Sequence, residues 1–179
     1  MKGGDRDLKK TLLPIVALVL AASLVVPVAV PAMAHTEAVP YDVPLFAGSE
    51  GEDILFGEVN IWNDTENLYV QFVISESGWL LEQTHVHVAT SLAGIPQTKN
   101  GGPKVGKFDH SDPHGLVKLY TYAIPLTWAP GTTLYIAAHA DVGLYSDGIR
   151  CQWETAWGGC WGHQFPGRNW AIYIMYDVQ

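Results

Sequence analysis

The chain has 179 residues and a formal net charge of −8. Beyond residue 34 the balance is six Lys and Arg against sixteen Asp and Glu, a net charge of −10. A surface of that sign repels phosphate backbones and anionic lipid, which argues against nucleic acid as a partner; it attracts divalent cations, of which calcium is the abundant hard one outside a cell.

At the N-terminus, Lys2, Arg6, Lys9 and Lys10 precede a near-continuous apolar run, Thr11–Val30, and Ala32-Met33-Ala34 supplies a small-x-small cleavage site. The pattern predicts a secretory signal peptide over residues 1–34, with His35 the first mature residue and a secreted, extracellular or cell-surface location. The run also has the length of an uncleaved anchor helix, but Pro14, Pro27 and Pro31 interrupt it and no stop-transfer charges follow. After cleavage no membrane span is expected. Residues 35–52, acidic and punctuated by prolines, read as an extended N-terminal arm, and residues 53–179 as one domain.

No helical periodicity follows the signal peptide. Period-2 segments rich in Val, Ile, Tyr and Trp alternate with Gly, Pro, Asn and Asp. Glu58–Asn63 and Leu68–Ser75, joined by the polar turn Asn63-Asp64-Thr65-Glu66-Asn67, predict a hairpin. Thr84–Thr90, Leu116–Ile124, Thr133–Val142 and Trp170–Val178 are further predicted strands. Ser91–Gly115 and Gly143–Asn169 are predicted long loops of the kind that carry function or an interface. Together these predict an all-β antiparallel β-sandwich, jelly-roll or immunoglobulin-like.

Several groups of residues have the composition of a metal site. Asp109 and Asp112, three apart in the first predicted loop, and Asp64 and Glu66 in the hairpin turn offer oxygen ligands suited to calcium, although Asp and Asn also serve such turns by themselves. His85 and His87 share one face of a strand, and His139 on another strand can complete a three-histidine transition-metal site; otherwise they lie on a partly wet sheet face and bond to neighbours. With His35 at the mature N-terminus, its α-amine and imidazole together have the makings of a copper histidine brace, unless cleavage before a histidine is coincidence.

Cys151 and Cys160, in an exported protein, are expected to pair as a structural disulfide. Asn63-Asp64-Thr65 is a glycosylation sequon on Asn63. Trp153, Trp157 and Trp161 recur every four residues, forming a sugar-stacking platform if exposed or a plug over the core if buried. No nucleophile elbow, zincin motif or phosphate loop occurs, so no catalytic residue is expected.

The stretches Ile61-Trp62-Asn63-Asp64, Asn67-Leu68-Tyr69-Val70, Thr84-His85-Val86-His87-Val88-Ala89 and Leu134-Tyr135-Ile136-Ala137-Ala138-His139-Ala140 resemble a family of secreted prokaryotic β-sandwich domains with no settled activity. In size, export, acidity and β-content the chain is also similar to the subunits of archaeal cannulae, extracellular tubes that assemble with calcium. That similarity implies a jelly-roll subunit, calcium between subunits and strand exchange between neighbours. The expectation is therefore a non-enzymatic secreted protein whose partners are other copies of itself, forming a filament, tube or layer. A carbohydrate-binding module that takes extracellular polysaccharide on the Trp platform is the alternative, and a His35 copper protein the second.

Overall fold

A computed structural model describes residues 34–48 and 54–179. The predicted signal peptide, apart from Ala34, and residues 49–53 of the arm and its junction lie outside the described residues. The described residues form one compact unit. Its strands are β1 (Tyr41–Ala47), β2 (Ile54–Asn63), β3 (Asn67–Ile74), β4 (Trp79–Ala89), β5 (His110–Val117), β6 (Leu119–Pro125), β7 (Thr133–Ser146), β8 (Ile149–Gly158) and β9 (Ile174–Asp177). Two single 3-10 turns, Leu92–Gly94 and Val105–Lys107, lie between β4 and β5. Among the described residues there is no α-helix, and no helix long and apolar enough to cross a membrane.

The all-β antiparallel class is as the sequence predicts. The strands form one sheet in the order β5-β4-β7-β8-β1-β2-β3-β6, with β9 also pairing β7, nearly closed into a barrel-like shape. Closure follows from side-chain contacts between the two ends of the order. Thr84 on β4 hydrogen-bonds Tyr122 on β6 through Oγ1 and Oη at 2.8 Å, and Tyr120 on β6 donates to Asp112 on β5 at 3.0 Å. The main core fills the interior with alternate residues of nearly every strand, among them Val43, Leu45, Val59, Ile61, Val70, Phe72, Leu81, Leu134, Ile136 and Val142. Each is almost fully buried, the burial of such a side chain stabilising by about 1.5–3 kcal/mol.

A second, smaller core lies on the outer face of the sheet. Phe46, Ala137 and Trp157 face outward from β1, β7 and β8, and Ile95, Phe108, Phe165, Ala171 and Ile172 come down on them from the two long connections, 90–109 and 159–173. The connections meet through glycines. Gly101 has φ 85° and Gly167 φ 97°, values that disfavour a side chain. A Cβ on Gly101 would strike Pro166, and one on Gly167 would strike the Asn100 carbonyl.

Three expectations are corrected here. The N-terminal arm is not separate: Tyr41–Ala47 is an interior strand of the domain's own sheet, paired with β2 throughout and with β8 at Leu45 and Phe46. Its Pro44, which argues against a central strand, is exposed and sits opposite Glu58 beside the bulge at Leu45/Phe46. The first part of the predicted second loop is instead a long hairpin, β7 turning at Asp147-Gly148 into β8, and only from Gly159 onward is it a connection. Most of β8 separates Cys151 from Cys160. Both are free and exposed. Cys151 lies within an extended strand that ends at Gly158, which holds the two cysteines roughly 20 Å or more apart, beyond the Cα separation of about 7 Å that a disulfide spans.

Two tests follow. Both cysteines should alkylate without reductant, adding two adducts by intact mass; protection until reduction would mean that β8 is not the strand described. Gly57 is buried between β1 and β3, where a Cβ would collide with the Val73 carbonyl. Gly57→Ala should lower stability by about 1–3 kcal/mol in urea unfolding.

Candidate assembly end and buried histidine cluster

The antiparallel order places the start of β2 and the β3–β4, β5–β6 and β7–β8 turns at one end of the barrel. Backbone bonds tie them together: Ser75 N–H donates to Phe56 C=O (2.9 Å), Ile74 N–H to Lys118 C=O (2.7 Å) and Tyr145 N–H to Gly78 C=O (2.9 Å). Of the exposed large hydrophobic residues described, all but Val39 lie on the strands that meet here: Ile54, Leu55, Leu116, Leu119, Ile149 and Trp153. From this end β8 runs with β7 on one side only. Its partner on the other side, β1, reaches only Trp157 and Gly158, so Ile149–Ala156 present a free edge among the described residues. Ile149 is 69% exposed and Trp153 52%.

Of the three tryptophans, only Trp153 is exposed. Trp157 is buried in the second core, and Trp161 is half-buried against Phe46, ring centroids 5.1 Å apart. The flat sugar platform is therefore corrected: one ring is a plug, one flanks it, and one projects from a strand edge.

The histidine cluster lies on the outer face beneath the connections. Alternation along β4 turns Thr84, Val86 and Val88 inward and His85 and His87 outward. His85 stands directly opposite His139 on β7, and His139 opposite Trp157 on β8. Ring centroids are 5.6 Å apart for His85–His139 and 4.8 Å for His139–Trp157. His87 packs on Phe108 of the first connection, and its Nε2 lies 3.2 Å from the Gly94 carbonyl. All three imidazoles are buried, so the expected wet sheet face is a covered one. Burial pushes the His139 pKa down to about 3, aided by neighbouring His85, and lowers that of His85 as well, so both are held neutral.

The calcium candidates stay apart within one copy. Asp109 leans to the outer face, its Oδ2 3.3 Å from His87 Nδ1, whereas Asp112 faces inward and accepts from Tyr120. Asp64 is used by its own turn: Oδ1 accepts the Glu66 and Asn67 N–H groups at 2.7 Å each, and Oδ2 accepts the Tyr69 hydroxyl at 2.8 Å. Those bonds lower the Asp64 pKa, that from the Asn67 amide most. Glu66 projects from the same exposed turn. Among the described residues no three His, Cys, Asp or Glu side chains are grouped closely enough to hold one ion as placed.

His35 packs on Tyr41 and Tyr176, with ring centroids at 5.5 and 6.0 Å, so tyrosines rather than a second histidine flank the brace candidate. Asn63 is engaged on both sides of its amide. Oδ1 accepts from the Tyr176 hydroxyl and the Gln179 N–H, and Nδ2 donates to the Asp64 and Gln179 carbonyls. A glycan on Nδ2 would displace the Gln179 contact.

The sequence did not single out the polar seam that closes the sheet between β5 and β6. Thr84 Oγ1 is 2.7 Å from His114 Nε2, the Tyr122 hydroxyl donates to the Thr84 carbonyl at 3.0 Å, and the His114 and Tyr120 rings pack at 4.1 Å, tilted by 40°. The signal available was the alternation of His110, Asp112 and His114 against Tyr120 and Tyr122, which the loop reading hid. Burial lowers the His114 pKa, with Asp112 opposing.

Comparison of the chain with family models, with characterised proteins and with solved structures finds no match.

Two buried phenols, Tyr122 of the seam and Tyr176 on β9, tie the stability of the fold to alkaline pH. Burial pushes Tyr122 and Tyr176 up to about 12 from an ordinary phenol near 10. The folded state therefore holds these protons more tightly than the unfolded one. Their stabilisation is complete below about pH 10 and is lost as pH rises towards 12. In an alkaline titration, the last two phenolates to appear by absorbance should coincide with loss of tertiary structure. Titration of every tyrosine near pH 10 with the fold intact would contradict this.

Proposed function

We propose that this protein is a secreted, non-enzymatic structural protein that self-associates into an extracellular filament, tube or layer. The observation that supports it best is the gathering of exposed apolar side chains at one end of the barrel, beside the unpaired β8 edge. Contiguous exposed apolar surface marks an interaction site, and a free strand edge templates pairing with another strand. The occupant proposed is a second copy of this chain. A contact between this end and a different surface of the neighbour does not close on itself, and so propagates.

Calcium enters as the neutralising ion. Copies each carrying −10 repel, and exposed carboxylates such as Asp109 and Glu66 are free to be bridged between copies. Residues 35–52 supply no donated strand in this reading, because Tyr41–Ala47 already pairs in the chain's own sheet.

Light scattering and electron microscopy of the purified protein, in millimolar calcium and then in chelator, test the proposal. Association should appear with calcium and reverse on chelation. The double variant Ile149→Lys, Trp153→Lys should associate at least about tenfold more weakly, a loss of about 1.4 kcal/mol, with an unchanged far-ultraviolet spectrum. A protein that stays monomeric in calcium, or a double variant that associates equally well, would overturn it.

A further inference from the structure

Each of the three covered imidazoles has one atom without a partner. Nδ1 of His85, His87 and His139 is buried and accepts or donates no hydrogen bond. The contact of His87 Nδ1 with Asp109 is an approach at 3.3 Å that lacks hydrogen-bond geometry. The residues are 8%, 8% and 7% exposed, so water does not compensate. A buried polar atom left unpaired costs about 1–3 kcal/mol. Three such atoms on adjacent positions of one sheet face, in a domain whose other buried polar groups are almost all paired, need a reason.

Spacing supplies one. Two imidazoles that bind one ion through nitrogens about 2.0–2.1 Å away, at a tetrahedral angle, place their ring centroids about 5–6 Å apart. The His85 and His139 rings are 5.6 Å apart, tilted at 49°. We infer that His85 and His139 form a cross-strand site for a divalent transition-metal ion of the zinc or copper(II) kind, with His87 as a third ligand once its ring turns from the Gly94 carbonyl. Imidazole nitrogens select such ions over calcium or magnesium, which take oxygen ligands. Asp109, exposed at the rim and close to His87, is placed to orient that ring as carboxylates orient metal-bound histidines. The site is independent of the assembly end: it sits on the outer face of β4 and β7 under the 90–109 connection.

The test is calorimetric titration of the purified protein with zinc and with copper(II). Cys151 and Cys160 are alkylated beforehand and His35 is replaced (His35→Ala), which removes the exposed thiols and the N-terminal imidazole as competing ligands. One ion per chain should bind with micromolar or tighter affinity. His139→Phe should weaken it by at least about 100-fold and His87→Phe by about tenfold, while His163→Asn, whose ring stacks on Tyr173 instead, leaves it unchanged. Should the phenylalanine variants fail to fold, the protein with all its cluster histidines still answers. Copper(II) should quench Trp157, whose ring is 4.8 Å from that of His139, and its paramagnetic resonance should show coupling to at least two imidazole nitrogens. Absence of saturable binding, binding indifferent to a folded His139→Phe variant, or a copper spectrum with oxygen ligands only would overturn the inference.

Discussion

The ladder between β4 and β7 is the constraint on which the rest of this fold depends. It runs from Trp79 opposite Leu144 to Ala89 opposite Tyr135, with one irregularity at Leu81/Gln83, and it is covered on both faces over its middle. A strand pair buried on both sides is normally apolar throughout. Here the inner face obeys that rule, with Val86 against Ala138 and Val88 against Ile136, while the outer face sets His85 against His139 and His87 against Ala137. The small Ala137 leaves room beside the imidazoles, and the two long connections close over them. The second core thus lies directly over buried histidines, with Phe108 on His87 and Trp157 on His139.

The two faces of the barrel wall divide the work. The main core holds the sheet together, and the seam of Thr84, His114, Tyr120 and Tyr122 joins its ends where strands β5 and β6 share no backbone ladder. The outer connections are bound to each other through Gly101 and Gly167 and so form a fixed cover. The barrel end with Ile54, Leu116, Leu119 and Ile149 has no such cover among the described residues. Buried polar groups in one place and exposed apolar groups in another are both departures from the usual partition.

Periodicity made the central strands legible. The hairpin of β2 and β3 forms around the predicted turn, with Asp64 N–H donating to the Asn67 carbonyl at 3.0 Å; β7 contains the segment predicted for it, and β4 all of its predicted segment but Thr90. What the sequence concealed were strands with mixed chemistry. β1 carries Pro44 and reads as an arm; β5 is His-Ser-Asp-Pro-His-Gly and reads as a loop; β8 is exposed on both faces for most of its length and shows no burial alternation. In each case register with a neighbour outweighs local propensity. The last strand was overextended for the opposite reason. Ile172, Ile174, Tyr176 and Val178 are buried as their spacing predicts, yet Ile172 belongs to the outer core and the others to the inner one. For the sites, the juxtaposition of His85 and His139 was legible from strand assignment alone, whereas the seam required knowing which two edges meet.

Barrel closure also has a kinetic consequence. β1 meets β8 through just two opposed pairs, Leu45 with Gly158 and Phe46 with Trp157, joining residues more than a hundred positions apart. Such a contact carries a large loop-closure penalty and forms late. During synthesis, β1 has only β2 beside it until almost the whole chain has emerged, and its far edge is open meanwhile. A neighbouring chain arriving in that interval finds the same open edge that β8 later fills. The order in which chains finish folding and encounter one another thus becomes a variable in what they form.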